Sequence, residues 1–403
     1  MTPKSRFLAA LHGKTLPDRL PVTTHHLMPS FLDTMPGGEN PDAFFERFGL
    51  DPITWPQAFR VDAARGEYFD PKHHPGPCEG RRVLSAAWDI RQELLPDPLY
   101  ETVRYSFVTP SKTLSMVLQS DAHTTWVAER LVKEKRDIDV IAMHAPALRC
   151  DTAAIDAIAA ARGEQALLRG AVPGFDVYGQ PGCWQDAAVL FGIEDLMFAT
   201  FDDAEWVRDF LGILQRRKLG YIASLAGARF DLIELGGGDA SSTVISPQIF
   251  EDFVAPFDAP LIDAAHAAGQ RIVYHLCGGI MAVLDAAASM HADAIETFTP
   301  EGMGGDADLA EARRRLGDAT CMIGGFDQYH FFHGCTPEQT RAEVRRCFAE
   351  AGESGRYILC PSDHFFEADP ALLDAYADEA RRCRYDASGE NDGVTAAVGI
   401  LRG

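Results

Sequence analysis

The chain has 403 residues, 46% of them hydrophobic and 24% charged, with a formal net charge of -22 and a pI near 4.9. That suits a globular protein of one large or two ordinary domains, and the acidic excess argues against nucleic-acid and anionic-membrane partners. Nine cysteines with no CxxC pair point to reduced thiols rather than a disulfide framework or a zinc finger, and the expected location, with no segment that reads as a signal peptide or membrane span, is cytoplasmic.

In chain order, MTPKSRFLAALHGK reads as an amphipathic helix capped at Thr2 or Ser5. Its apolar run is too short and interrupted for a signal peptide or membrane span. Eight short apolar, β-branched or aromatic runs are strand candidates: LPVTTH (20–25), DPITWP (51–56), ALLRGAV (166–172), DLIELGGG (231–238), RIVYHLC (271–277), DAIETFTP (293–300), CMIGGFD (321–327) and RYILCPSD (356–363). Helical patterns separate the later ones, over 246–269, 278–291, 308–317 and 336–352. The first and last of these open with Ser-Pro and Thr-Pro, a cap followed by proline at the first helical position.

Strands alternating with helices imply a parallel sheet covered by helices, and eight such units close a (β/α)8 TIM barrel. A doubly wound open sheet is the alternative, but no GxGxxG stands at a strand-to-helix turn. Residues 58–130 break the alternation; their second part follows period two around Thr-Pro-Ser-Lys, as an antiparallel hairpin does. The expected organisation is a single α/β barrel domain over 1–385, with an inserted hairpin region at 58–130 that caps one barrel mouth. A C-terminal tail over 386–403 follows.

The chemistry concentrates at strand ends. His275 and Cys277 stand two apart, so alternation points both into the barrel at its C-terminal mouth. Imidazole beside thiolate suits zinc, and Cys360 at the end of the last strand is the best third ligand; His364, His291, Cys321 and Glu296 are rivals. Such a site keeps one position open, where a thiol would lose its proton near neutral pH. Glu234, Asp239 and His364 are candidate catalytic groups, although a strand-end acid also serves as a helix cap. His25, Tyr178, Trp184, Glu296 and Asp327 are candidate substrate contacts. For Trp184 the plain alternative is packing beneath a Gly-Pro turn, and of His25 and His26 only one can face inward. Neither a GxSxG elbow nor a GxxxxGK[ST] loop is present.

Several blocks resemble the uroporphyrinogen decarboxylase superfamily: SRFLAALHGKTLPDRLPV at the start, GGGDASSTVISPQIFEDFVAPFDAPLIDAAHAAGQRIVYHLCGG in the centre and YILCPSDHFFEADPALLDAYADEAR near the end. FVTPSKTLSMVLQ and LVKEKRDIDVI resemble the middle of its methyltransferase-like members. The decarboxylases carry Arg-Gln-Ala-Gly-Arg-Tyr after the first strand, where this chain has TTHHLMPSFLD. The methyltransferase branch carries His-x-Cys and a distant Cys as zinc ligands, which match His275, Cys277 and Cys360. The resemblance therefore implies a zinc methyltransferase that exchanges a methyl group with cobalamin carried by a corrinoid-binding partner protein. The other methyl carrier would be a small molecule: an O-methyl compound, a thiol or a pterin. A homodimer is allowed. A metal-free decarboxylase and a non-catalytic tetrapyrrole- or corrinoid-binding protein are the competing readings.

Overall fold

The apolar runs fold as short parallel strands buried on both faces, as strands covered by helices must be. The structure, a computed structural model, describes residues 1–24, 26–35, 40–60, 67–69, 81–83, 85 and 87–385. The expected tail at 386–403 and His25 lie outside the described residues. Strand β1 is Ile53–Thr54. The inserted region supplies β2 (Glu67–Phe69), β3 (Arg81–Val83), β4 (Asp89–Leu95), β5 (Glu101–Val108), β6 (Thr113–Ser120) and β7 (Thr125–Glu129). The parallel series resumes with β8 (Leu167–Ala171), β9 (Leu232–Gly236), β10 (Ile272–His275), β11 (Ala294–Thr297), β12 (Cys321–Gly324) and β13 (Tyr357–Ile358).

The parallel order is β1-β8-β9-β10-β11-β12-β13. The first candidate run closes the ring. Val22 bridges Leu359 in parallel, Thr23 N–H donates to Leu359 O at 3.0 Å, and Asp51 N–H donates to Val22 O at 2.7 Å. This stave is a bridge rather than a longer strand for a local reason. Pro21 has no N–H to give, and Val22 N–H is diverted to the Asp51 carboxylate at 3.0 Å. The fold is thus the expected (β/α)8 barrel.

Alternation divides the barrel interior into levels. Leu167, Leu232, Val273, Ala294, Cys321 and Ile358 pack together inside, sealed at the N-terminal end by Phe7, Ala10 and Leu11 of helix Pro3–His12. Thr2 caps that helix by accepting from Ser5 N–H at 3.1 Å. Two residues further along β8, β9, β10 and β11 come Arg169, Glu234, His275 and Glu296, all buried. The apolar plug therefore gives way to a charged level at the C-terminal mouth.

Two predicted helices differ in detail. The expected helix over 246–269 is broken into Pro247–Ile249, a π turn at Phe250–Val254 and Ala255–Ala267. Pro256 and Pro260 lack the N–H groups an α ladder would use, and the wider turn absorbs the mismatch. In place of a helix over 278–291, only Leu284–Ser289 is helical. Side chains take the amides that a longer helix would order: Gly278 N–H donates to Thr299 Oγ1, Gly279 N–H to Thr243 Oγ1, and Ile280 N–H to Asp306 Oδ1.

The insertion is larger than one hairpin. Strands β4 to β7 form a four-stranded antiparallel sheet, and β2 pairs with β3. The β5–β6 turn falls at residues 109–112, as expected. The sheet docks on the loop after β8: Trp88 and Phe107 pack against Phe175, and Trp88 Nε1 donates to Asp176 Oδ2 at 2.7 Å.

Candidate functional site

The charged level is built around Arg169. Its Nη2 donates to Glu234 Oε2 at 2.8 Å and also to Glu296 Oε1. The guanidinium lies 4.3 Å from the centroid of the Trp55 ring, and His26 stacks on the same indole at 4.9 Å. Glu296 Oε1 also accepts from His275 Nδ1 at 2.8 Å. A carboxylate accepts here, so Nδ1 of the imidazole carries a proton and Nε2 faces away from Glu296. Glu234, His275 and Glu296 bring ligand-type atoms within 4.8 Å of one another, the one such group of three among the described residues.

Burial alone would lower the His275 pKa; hydrogen bonds to Cys277 and Glu296, with the Cys277 and Glu234 charges, outweigh it and hold the pKa well above its ordinary value. His26 goes the other way. Burial brings it down to about 4, opposed by Glu234 and Glu296 and reinforced by Arg169 and His275. The two imidazoles beside the same acids therefore favour opposite protonation states.

Cys277 adjoins His275 and is half-buried. The glycine run after β9 makes room for it: a Cβ on Gly238 would sit 2.4 Å from Cys277 Sγ. Cys360 is fully buried in the barrel interior, in the same apolar cluster as Ile323 and Ile358, and stands outside the group of three. Of the rival ligands, Cys321 packs at the N-terminal end near Phe7 and Leu11, while His291 and His364 are exposed.

The remaining predicted residues line the rim or stand behind it. Asp239 is half-buried; burial raises its pKa against the pull of Arg130. Trp184 is fully buried and donates from Nε1 to Asp239 O at 3.1 Å, so it supports the loop from behind. Tyr178 donates its hydroxyl to Thr125 O at 2.8 Å and so ties the loop after β8 to the inserted sheet. Asp327 caps the turn Gln328–Phe331 and binds His330 Nδ1 at 2.8 Å. His364 pairs with Asp363 at 2.8 Å. Arg169 and Trp55 belong to the site without having been expected there, and of the His25–His26 pair it is His26 that the described residues place beside the acids. The available signal was Arg169 itself, a charge inside an apolar strand two residues beyond an inward Leu167.

The family model described as uroporphyrinogen decarboxylase (URO-D) matches residues 106–382. The chain belongs to the uroporphyrinogen decarboxylase family. Curated relatives include the uroporphyrinogen decarboxylase of Neisseria meningitidis serogroup C, 29% identical over 126 residues, which is 30% of this chain and 33% of the relative. The serogroup B enzyme matches with the same identity and extent. These alignments span about a third of the length of the curated relatives. Among solved structures, a methyltransferase from Methanosarcina mazei superimposes with a TM-score of 0.57 at 17% identity, covering 95% of this chain and 99% of that one. That similarity carries the fold of this uroporphyrinogen decarboxylase family member across nearly its whole length. Among the described residues, no helix is long and apolar enough to cross a membrane.

Proposed function

We propose that the chain is a zinc-dependent methyltransferase that exchanges a methyl group between a corrinoid carried by a separate protein and a small molecule. The observation that carries this reading is the His275–Cys277 pair at the mouth with Glu296 bound to the far nitrogen of the imidazole. A carboxylate in that position is the usual support of a zinc-ligating histidine. Soft thiolate and imidazole donors suit zinc. Cys360 is the proposed third ligand, from the interior end of the last strand, and Glu234 is the competing oxygen donor.

A metal ion on His275 would take the place of the proton that its raised pKa keeps there. Glu234 and Glu296 share one permanent cation, Arg169, and buried carboxylates need compensation. When bound, zinc would supply Lewis acidity, lowering the pKa of an acceptor thiol or helping a leaving oxygen depart. The chain's own residues do the rest. Glu296 fixes the imidazole tautomer, Arg169 immobilises both glutamates, and Gly238 leaves space for the Cys277 sulfur. Asp239, with its raised pKa, is the proposed proton store on the rim, and His364 the outer base. Tyr178 and Asp327 are proposed around the substrate, and the inserted sheet would restrict water over the mouth. Methyl transfer to or from cobalt is an in-line displacement that gains most from such fixed geometry. The likeness in fold to the Methanosarcina methyltransferase accords with this chemistry.

Spectroscopy tests the reaction. Mixed with methylcobalamin and candidate thiols, or with reduced cobalamin and candidate methyl donors, the protein is expected to change the cobalt absorption; no change with any of these substrates opposes the proposal. The partial likeness to the Neisseria decarboxylases favours a second reading, decarboxylation without metal. The two buried glutamates weigh against it, because they would repel a polycarboxylate substrate. Release of carbon dioxide from a porphyrinogen by metal-free protein would select it.

A further inference from the structure

The end of β11 is bent in a way its residue types resist. Thr297 and Phe298, both fully buried, have φ of 91° and 46°. Non-glycine residues seldom hold positive φ, and β-branched ones least of all. Strands β9 and β12 make such a bend at their last residues with glycine, Gly236 and Gly324, at 99° and 114°. Gly324 also clears space, since a Cβ there would lie 2.4 Å from Thr297 O. Gly325 N–H then holds that carbonyl at 2.8 Å.

Three polar side chains at and beside this bend reach one target. The β10–β11 ladder ends at the pair His275–Glu296. Beyond it, side chains replace backbone pairing. Glu296 Oε1 accepts from His275 Nδ1 at 2.8 Å. Thr297 Oγ1 donates to Leu276 O at 2.7 Å. Thr299 Oγ1 accepts from Gly278 N–H at 3.0 Å. Residues on both sides of Cys277 are thus tied to β11 and the loop that follows it, and glycine at 297 or 299 would remove the threonine bond made there.

We propose that Glu296, Thr297 and Thr299 form a bracket that fixes the backbone from His275 to Gly278 and so sets the direction of the Cys277 thiol before any metal binds. These are positioning residues. The consequence for metal affinity rests on the zinc reading above; the bracket itself does not. A preset ligand pair loses less freedom on binding, which is why supporting groups around a metal matter almost as much as its ligands.

The test uses the full chain, metal-free, with Thr297→Val and Thr299→Val, each paired with its Ser variant. Hydrogen exchange is followed amide by amide over 274–280. Thr299→Val is expected to speed exchange at Gly278 about tenfold, the scale of one lost buried hydrogen bond. Thr297→Val should speed exchange at the neighbouring amides likewise, with the inserted sheet unchanged. Both Ser variants should stay within about threefold of wild type, and zinc competition against a chelator should show about 10- to 100-fold weaker binding in the Val variants only. Unchanged exchange at Gly278, acceleration spread evenly over the barrel, or Ser variants as loose as the Val ones would each overturn the bracket. Wild-type protein that takes up no zinc would instead refute the zinc reading, leaving the exchange rates to judge the bracket.

Discussion

At the scale of single residues, the site is governed by one buried cation and the two carboxylates it holds. Removing Arg169 leaves Glu234 and Glu296 facing each other in the barrel with no permanent counter-charge. Arg169→Met is therefore expected to cost about 3–5 kcal/mol, the penalty for breaking a buried ion pair, read as a fall in the urea midpoint. A midpoint within error of wild type would mean that the glutamates find other compensation. Much of this level was legible in the sequence. His275, Cys277, Glu234 and Glu296 sit at the polar ends of apolar runs, where period two fixes their direction. Arg169 and Trp55 were not legible as partners, because the strands that carry them are separated by more than a hundred residues. Their contact depends on β1 pairing with β8.

At the scale of elements, loops after the strands position the chemistry, and glycine sets how closely they approach. Gly238 is the clearest case: a methyl group there would collide with Cys277 Sγ. Gly238→Ala is expected to turn the thiol aside, weakening zinc binding about tenfold or more while the far-ultraviolet circular dichroism spectrum stays that of wild type. Zinc affinity equal to wild type would show that the thiol can yield without leaving its ligand position. The seven parallel strands, the place of the bridge that closes the ring and the hairpin turn at 109–112 followed from alternation and turn residues. The helix expected over 278–291 fell short because Thr243, Thr299 and Asp306 capture its first amides. Those captures come from other loops and leave no trace in the local sequence. The four-stranded extent of the insertion was hidden for a similar reason, since β4 and β7 are defined by pairing with the hairpin between them.

At the scale of the whole molecule, ring closure depends on a polar knot at the first stave. Asp51 accepts from Arg6 Nη1 at 2.6 Å, from Arg19 Nη2 at 2.8 Å and from Val22 N–H at 3.0 Å. It thus joins the N-terminal helix, the first stave and the approach to β1. Asp51→Ala is expected to destabilise the fold by about 3–5 kcal/mol, measured by urea unfolding; a loss under ~1 kcal/mol would show that closure does not depend on the knot. A closed barrel matters for function because it fixes β10 and β13 in one ring and so sets where Cys360 stands relative to His275 and Cys277. Metal analysis of the purified chain, alongside Cys277→Ser and Cys360→Ser, tests that relation most directly. About one zinc per chain is expected in the wild type, with most of it lost in each variant although both remain folded. A wild-type chain that is metal-free and fully active in methyl transfer would contradict the assignment.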